Sequence, residues 1–221
     1  LRPGADPELW VAIVTGAGEK AFSAGNDLKF AASGQKSPVP MPASGFGGLT
    51  SRYDLFKPVI AAVNGFAMGG GFEIALAADI IIAAETAKFA LPEPRVGFAA
   101  LATGMHRLPR QVPLKKAMGM MLTGRTVSAA EGKEIGFVTE VVPQGRALEE
   151  AKKWAGQILE CSPMAIRATK ETVLKGLDIA NFKEAFETKV PGIARLLTSG
   201  DHKEGPKAFS EKRKPIWKNE A

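Results

Sequence analysis

The chain has 221 residues, 45% hydrophobic and 24% charged, which suits a soluble globular core with room for an appendage. Lys and Arg outnumber Asp and Glu by 29 to 23, and the +6 excess gathers late, at Lys203, Lys207, Lys212, Arg213, Lys214 and Lys218. That excess suits a solvated tail helix or an anionic, phosphate-bearing partner; no aromatic–basic interleaving points to nucleic acid, no apolar run reaches the roughly 18 residues of a membrane span, and no basic start leads into an apolar block as a signal peptide would.

In chain order, Trp10 to Thr15 is a β-branched run ending at Gly16 and predicts a buried strand. Ala17 to Asp27 reads as a loop of small residues, Leu28 to Ala32 as a short helix, and the Pro-, Ser- and Gly-rich Ser33 to Gly48 as a loop. Arg52 to Phe56 reads as helical, stopped by Pro58; Pro58 to Val63 is a second buried strand, closed by an Asn64-Gly65 turn. Gly69-Gly70-Gly71 leads into a helix over Phe72 to Ala78, followed by strands at Ile80 to Ala84 and Lys88 to Leu91. The recurrence of strand, loop, helix and strand with short connections predicts an α/β protein with largely buried parallel strands. From Lys115 the periodicity turns helical, over Lys115 to Leu122, Ser128 to Glu134, Ala147 to Glu160 and Pro163 to Gly176, with one late strand at Val138 to Val142.

Four features bear on chemistry. Gly16-Ala17-Gly18-Glu19-Lys20-Ala21 imitates a dinucleotide-binding turn, but no helix follows at once to meet a pyrophosphate, so a plain turn between elements is the better reading. Ala24-Gly25-Asn26-Asp27-Leu28 could let a ligand approach main-chain N–H donors. Gly69-Gly70-Gly71 precedes a helix N-terminus, whose unpaired N–H groups and partial positive charge suit a developing oxyanion; tight backbone packing explains either glycine segment equally well. The fourth feature is the pair Glu73, in the first turn of an apolar helix, and Glu93, between Pro92 and Pro94. Each reads alone as a capping or strand-end carboxylate; where glycine-rich backbone converges as well, they fit acid–base work better. The single Cys161 rules out an internal disulfide and fits a reducing, cytoplasmic setting, and His106 and His202 match no ligand spacing, so no metal is expected.

Taken together these segments resemble the crotonase superfamily, the enoyl-CoA hydratase and isomerase family. The resemblance rests on Val14-Thr15-Gly16, Ala21 to Lys29, Lys57 to Gly65, Gly69-Gly70-Gly71-Phe72-Glu73, Phe89-Ala90-Leu91-Pro92-Glu93, Leu122-Thr123-Gly124-Arg125 and Gly136-Phe137-Val138, and covers nearly the whole chain. It implies a crotonase spiral of stacked ββα units over residues 1–160 and a helical assembly region over 161–221 that builds trimers, often paired into hexamers. It implies an oxyanion hole from the N–H groups of Asn26 and Gly70, and a water held by Glu73 and Glu93. Ala24, Asn26, Asp27, Leu28 and Lys29 would contact coenzyme A, which enters as part of an acyl-CoA thioester and not as a prosthetic group. The expected activity is that of a hydro-lyase, adding water to a 2-enoyl-CoA. The alternatives are another crotonase reaction, such as hydroxyacyl-CoA dehydration or double-bond isomerisation, and a non-catalytic CoA-binding homologue.

Within the family, Phe46-Gly47-Gly48-Leu49-Thr50 and the ending Glu204 to Phe209, Glu211-Lys212-Arg213, Pro215 and Trp217 are most similar to carnitinyl-CoA dehydratase-like hydratases. Two departures stand out. The resemblance implies about 35 further residues before Leu1, a length that typical domain sizes accommodate. The stretch Gly97 to Met105 replaces a Pro-Gly-x-Gly-Gly-type run that helps shape the acyl pocket.

Overall fold

The computed structural model describes residues 6–35 and 40–219. Among them are eight strands: β1 (Ala12–Thr15), β2 (Ala21–Ser23), β3 (Val59–Val63), β4 (Phe66–Met68), β5 (Ile80–Ala84), β6 (Lys88–Ala90), β7 (Val127–Ser128) and β8 (Glu140–Val142). The helices among them are α1 (Leu28–Ala32), α2 (Gly70–Ala77), α3 (Gly104–Gln111), α4 (Leu114–Thr123), α5 (Ala129–Ile135), α6 (Ala147–Leu159), α7 (Pro163–Leu177), α8 (Phe182–Glu187), α9 (Pro191–Thr198) and α10 (Gly200–Ser210).

The chain lays its strands alternately in two sheets. One has the order β1-β3-β5-β8 and the other β2-β4-β6-β7. The first three pairs of strands each add one strand to each sheet before a helix returns the chain, the repeat of a ββα spiral, and β7 and β8 follow with α5 between them. Ile60 to Val63 run parallel beside Ile80 to Ala83, and Phe66 to Met68 parallel beside Lys88 to Ala90; β7 runs antiparallel to β6. Parallel strands covered on both faces carry apolar residues at every position. This is why β3, Val-Ile-Ala-Ala-Val, is buried throughout and shows no alternation.

The three-residue strand β2 lies where the sequence reads as loop, and β4 follows the Asn64-Gly65 turn in a stretch the sequence leaves unassigned. They are too short to show a period, and their register follows from their partners. The Asn64 side chain anchors this region: its Oδ1 accepts the Gly16 N–H (3.1 Å) and its Nδ2 donates to the Gly18 carbonyl (2.6 Å). The Gly16 to Ala21 segment is therefore a turn between β1 and β2, and no helix begins there. The helix expected at Arg52 to Phe56 is absent; the segment forms turns. Five residues make too few internal hydrogen bonds to offset nucleation, and Pro58 disfavours helical backbone at Lys57. Helix α3 runs through Pro109, a residue that reads as a helix breaker.

By contact the chain divides into two compact units. One comprises 13–53 and 59–153, and the other 1–12, 54–58 and 154–221. The first contains the sheets and a core centred on Phe72, Phe89 and Phe137, whose rings lie 5.0 to 5.3 Å apart in tilted and edge-on pairs. The second is mostly helix. Within it Glu171, nearly buried, bridges Lys175 (2.7 Å) and Arg195 (3.0 Å), and the Ser162 hydroxyl donates to buried Asp201 (2.8 Å). No helix among the described residues is long and apolar enough to cross a membrane.

Candidate active site

The sheet-bearing unit gathers the glycine segments and both glutamates around the N-terminus of α2. Gly69 precedes this helix with φ 54°, and Gly70 opens it. The first N–H groups of a helix have no acceptor within it, and the aligned peptide dipoles leave partial positive charge there. Helix α2 starts two residues earlier than the sequence suggests, on glycines, where the surrounding atoms leave no room for side chains. A Cβ on Gly71 would lie 2.0 Å from the Ser23 carbonyl oxygen.

The Ala24 to Leu28 segment passes directly over this helix start. Gly25 has φ +83°, and a Cβ there would lie 2.8 Å from the Met68 oxygen and 2.9 Å from the Gly70 nitrogen. The left-handed conformation and the close approach both demand glycine. They bring the Gly25–Asn26 peptide against the first turn of α2, so the two amides expected to act together belong to one small region. Asp27 serves the backbone here. Its Oδ1 accepts the N–H groups of Lys29 (2.9 Å) and Phe30 (3.1 Å), starting α1. Ala24, Leu28 and Lys29 are exposed beside it.

Glu73 is 3% exposed, one turn into α2. Its Oε1 accepts the N–H of Gly104 at 2.8 Å, from the first residue of α3. Burial pushes the Glu73 carboxyl above its ordinary range; the Gly104 N–H opposes this, the charge of Glu93 adds to it, and the Ala102 N–H opposes it again. Glu93 stands in a one-turn 3-10 helix, Glu93–Val96, held in place by Arg95 Nε donating to the Thr123 carbonyl (2.9 Å). A Cβ on Gly69 would lie 3.0 Å from Glu93 Oε1, so this carboxyl sits at the start of α2. Its Oε2 is buried and has no hydrogen-bond partner among the described residues. Burial pushes its proton affinity up as well, opposed by its own backbone N–H. Two carboxyls whose proton affinity is pushed upward at one helix N-terminus form a candidate acid–base pair.

Sequence reading missed three supports of this arrangement. The Phe46 ring covers Gly70, where a Cβ would lie 2.5 Å from it. Thr50, fully buried, accepts the Phe46 N–H on Oγ1 (2.9 Å). Thr103 adopts φ 85° just before α3. The left-handed region is unfavourable for a β-branched residue, and nothing in a linear sequence marks it.

A family model described as enoyl-CoA hydratase/isomerase matches residues 3–220. A carnitinyl-CoA dehydratase from Salmonella typhi is 47% identical over 217 residues, covering 96% of this chain and 83% of that protein. An enoyl-CoA hydratase from Mycobacterium marinum superposes with a TM-score of 0.90 at 39% identity, over 98% of this chain and 83% of the other. A carnitinyl-CoA hydratase from Mycobacterium avium superposes with a TM-score of 0.74 at 40% identity, over 98% and 84%. The two-sheet ββα architecture agrees with these structural likenesses, and the chain belongs to the enoyl-CoA hydratase/isomerase family.

Proposed function

We propose that the protein is a hydro-lyase acting on an acyl-CoA thioester, adding water reversibly and syn across the α,β double bond of a 2-enoyl-CoA. The observation that carries this reading is the pairing of Glu73 and Glu93, both with raised proton affinity, at the glycine-walled start of α2. An isomerase needs one well-placed carboxyl; the presence of two favours water chemistry.

The barrier to hydration is the negative charge that gathers on the thioester oxygen when the β-carbon is attacked. In this reading the amides of Asn26 and Gly70 face that oxygen. Loss of one such donor typically costs about 2.7–4 kcal/mol of barrier. Glu73, whose ionised form is favoured by the N–H groups of Gly104 and Ala102, takes a proton from the water while the water oxygen bonds to the β-carbon. Glu93, desolvated and with one oxygen unpartnered, is the better candidate for the protonated member and delivers its proton to the α-carbon. The proton left on Glu73 passes to Glu93 through the next water, so each cycle adds one water and restores both carboxyls. In the reverse direction the same groups dehydrate a 3-hydroxyacyl-CoA. Carnitinyl-CoA is the first such substrate to test, on the strength of the 47% identity to the Salmonella typhi dehydratase. Ala24, Leu28 and Lys29 are assigned to the CoA moiety, with Lys29 toward its phosphates. No prosthetic group is required, and the cytoplasm is the expected setting.

Assembly as a homotrimer or a dimer of trimers belongs to the same proposal, with the helical unit as the assembly region. Its support is the exposed apolar surface of that unit, where Phe182 and Phe186 are 86% and 82% exposed. The deciding experiment is a steady-state assay with crotonyl-CoA, 3-enoyl-CoA and carnitinyl-CoA, product identity read by mass spectrometry. Water addition or elimination supports the hydro-lyase reading. Conversion of the 3-enoyl thioester alone would replace it with isomerisation, and tight CoA-ester binding without turnover would replace it with a binding role.

A further inference from the structure

The Glu73 carboxyl owes its placement to a hydrogen bond from Gly104, and Gly104 is held by a turn the backbone does not favour by itself. Thr103 sits at φ 85°, ψ 0° immediately before it. A strained conformation of this kind persists only when its surroundings over-determine it. The Thr103 carbonyl accepts the N–H groups of His106 (3.0 Å) and Arg107 (2.9 Å), and one side chain fixes its hydroxyl. Arg107, one turn into α3, donates through Nε to the Thr103 hydroxyl (3.0 Å) and through Nη2 to the Thr50 carbonyl (3.2 Å). The Thr103 hydroxyl in turn lies 3.4 Å from the same carbonyl. Thr50 is fully buried and also receives the N–H of Phe46, the residue whose ring covers Gly70.

We propose that Arg107 is a positioning residue for the acid–base pair: its forked guanidinium ties the Thr50 carbonyl to the Thr103 hydroxyl, and so holds the Gly104 N–H against Glu73 and the Phe46 ring over Gly70. A planar fork with rigidly spaced donors meets both acceptors in one fixed geometry; a lysine ammonium, a rotatable point charge, holds them with less positional control. The guanidinium is largely desolvated, which lowers its proton affinity, and Tyr53 and Asp79 oppose this, so it remains charged at working pH. The titratable group facing Glu73 is Glu93, with the N–H groups of Gly104 and Ala102 as its other polar neighbours. Loss of the Gly104 bond removes a contact that favours the ionised form, so the Glu73 proton affinity rises further.

This inference rests on the hydro-lyase reading for its kinetic consequence and on the geometry alone for its titration. In Arg107→Met the carboxyl resonance of Glu73, followed by carbon NMR in substrate-free protein, is expected to titrate at higher pH. The kcat for hydration falls about tenfold to a hundredfold, the scale of a misplaced reacting group, with KM within about threefold of the parent and the acid limb of the pH profile moved to higher pH. Arg107→Lys moves both in the same direction and less far. Thr103→Gly adopts the left-handed turn without strain, and in the Arg107→Met background it is expected to recover part of the lost kcat and to move the titration back. An unchanged Glu73 titration in folded Arg107→Met overturns the proposal; should that variant not fold, an unchanged titration in Arg107→Lys does so. If the parent protein turns over no thioester, the hydro-lyase reading fails, and the titration still decides the role of Arg107.

Discussion

The carboxyls of Glu73 and Glu93 both bind protons more tightly in the native protein than at the ordinary value of 4.5, which sets their proposed acid–base role against stability. Below that value both states are protonated and burial carries no charge penalty. As pH rises through the raised native values, the folded protein must ionise a desolvated group, and stability is lost. Glutamine cannot ionise and can keep the bond from Gly104. Glu73→Gln and Glu93→Gln are therefore expected to melt above the parent at pH 8, with the difference shrinking toward pH 4 in calorimetry. Hydration by each should fall by about 10²–10⁴-fold, the usual worth of positioned acid–base groups. A pair of variants with near-parental turnover would remove the carboxyls from the mechanism.

Among the secondary-structure elements, the same substitution is expected to act in opposite directions at two glycines. Gly71→Ala would place a methyl 2.0 Å from the Ser23 oxygen, so α2 must retreat from the end of β2. The expected outcome is loss of both stability and turnover. Gly119, inside α4, has nothing within 4 Å of where a methyl would stand. There alanine reduces the freedom of the unfolded chain and should stabilise by about 0.4–1 kcal/mol, read as a higher denaturation midpoint at unchanged turnover. Helix α5 gives a third case. Its cap Ser128 accepts the Glu131 N–H (3.1 Å), and Ser128→Ala should cost about 1 kcal/mol in urea unfolding.

For the molecule as a whole, the spiral is held by its aromatic centre and the proposed assembly by its helical unit. Phe89 is fully buried against Phe72 and Phe137, and Phe89→Ala should cost about 3–5 kcal/mol, since the cavity adds to the lost burial. Phe182→Ser with Phe186→Ser leaves that centre untouched. Light scattering should then report a lower mass than the parent's if the helical unit carries the trimer contacts, and an unchanged mass would place those contacts elsewhere.

The long elements and the residues of the proposed site are legible along the chain. The strands at β3 and β5 and the helices α4, α6 and α7 carry enough apolar residues to announce themselves, and the glycines and glutamates stand in recognisable runs. The remaining features arise only when distant segments meet. Strands of three residues have no period to read, and their partners lie about 20 to 45 positions away. The left-handed Thr103 defies local preference, and its hydroxyl and the Arg107 fork meet the distant Thr50 carbonyl. Local propensity is a property of neighbouring residues, whereas the proton affinity of Glu73 depends on burial, on Gly104 and on Glu93, groups that only folding brings together.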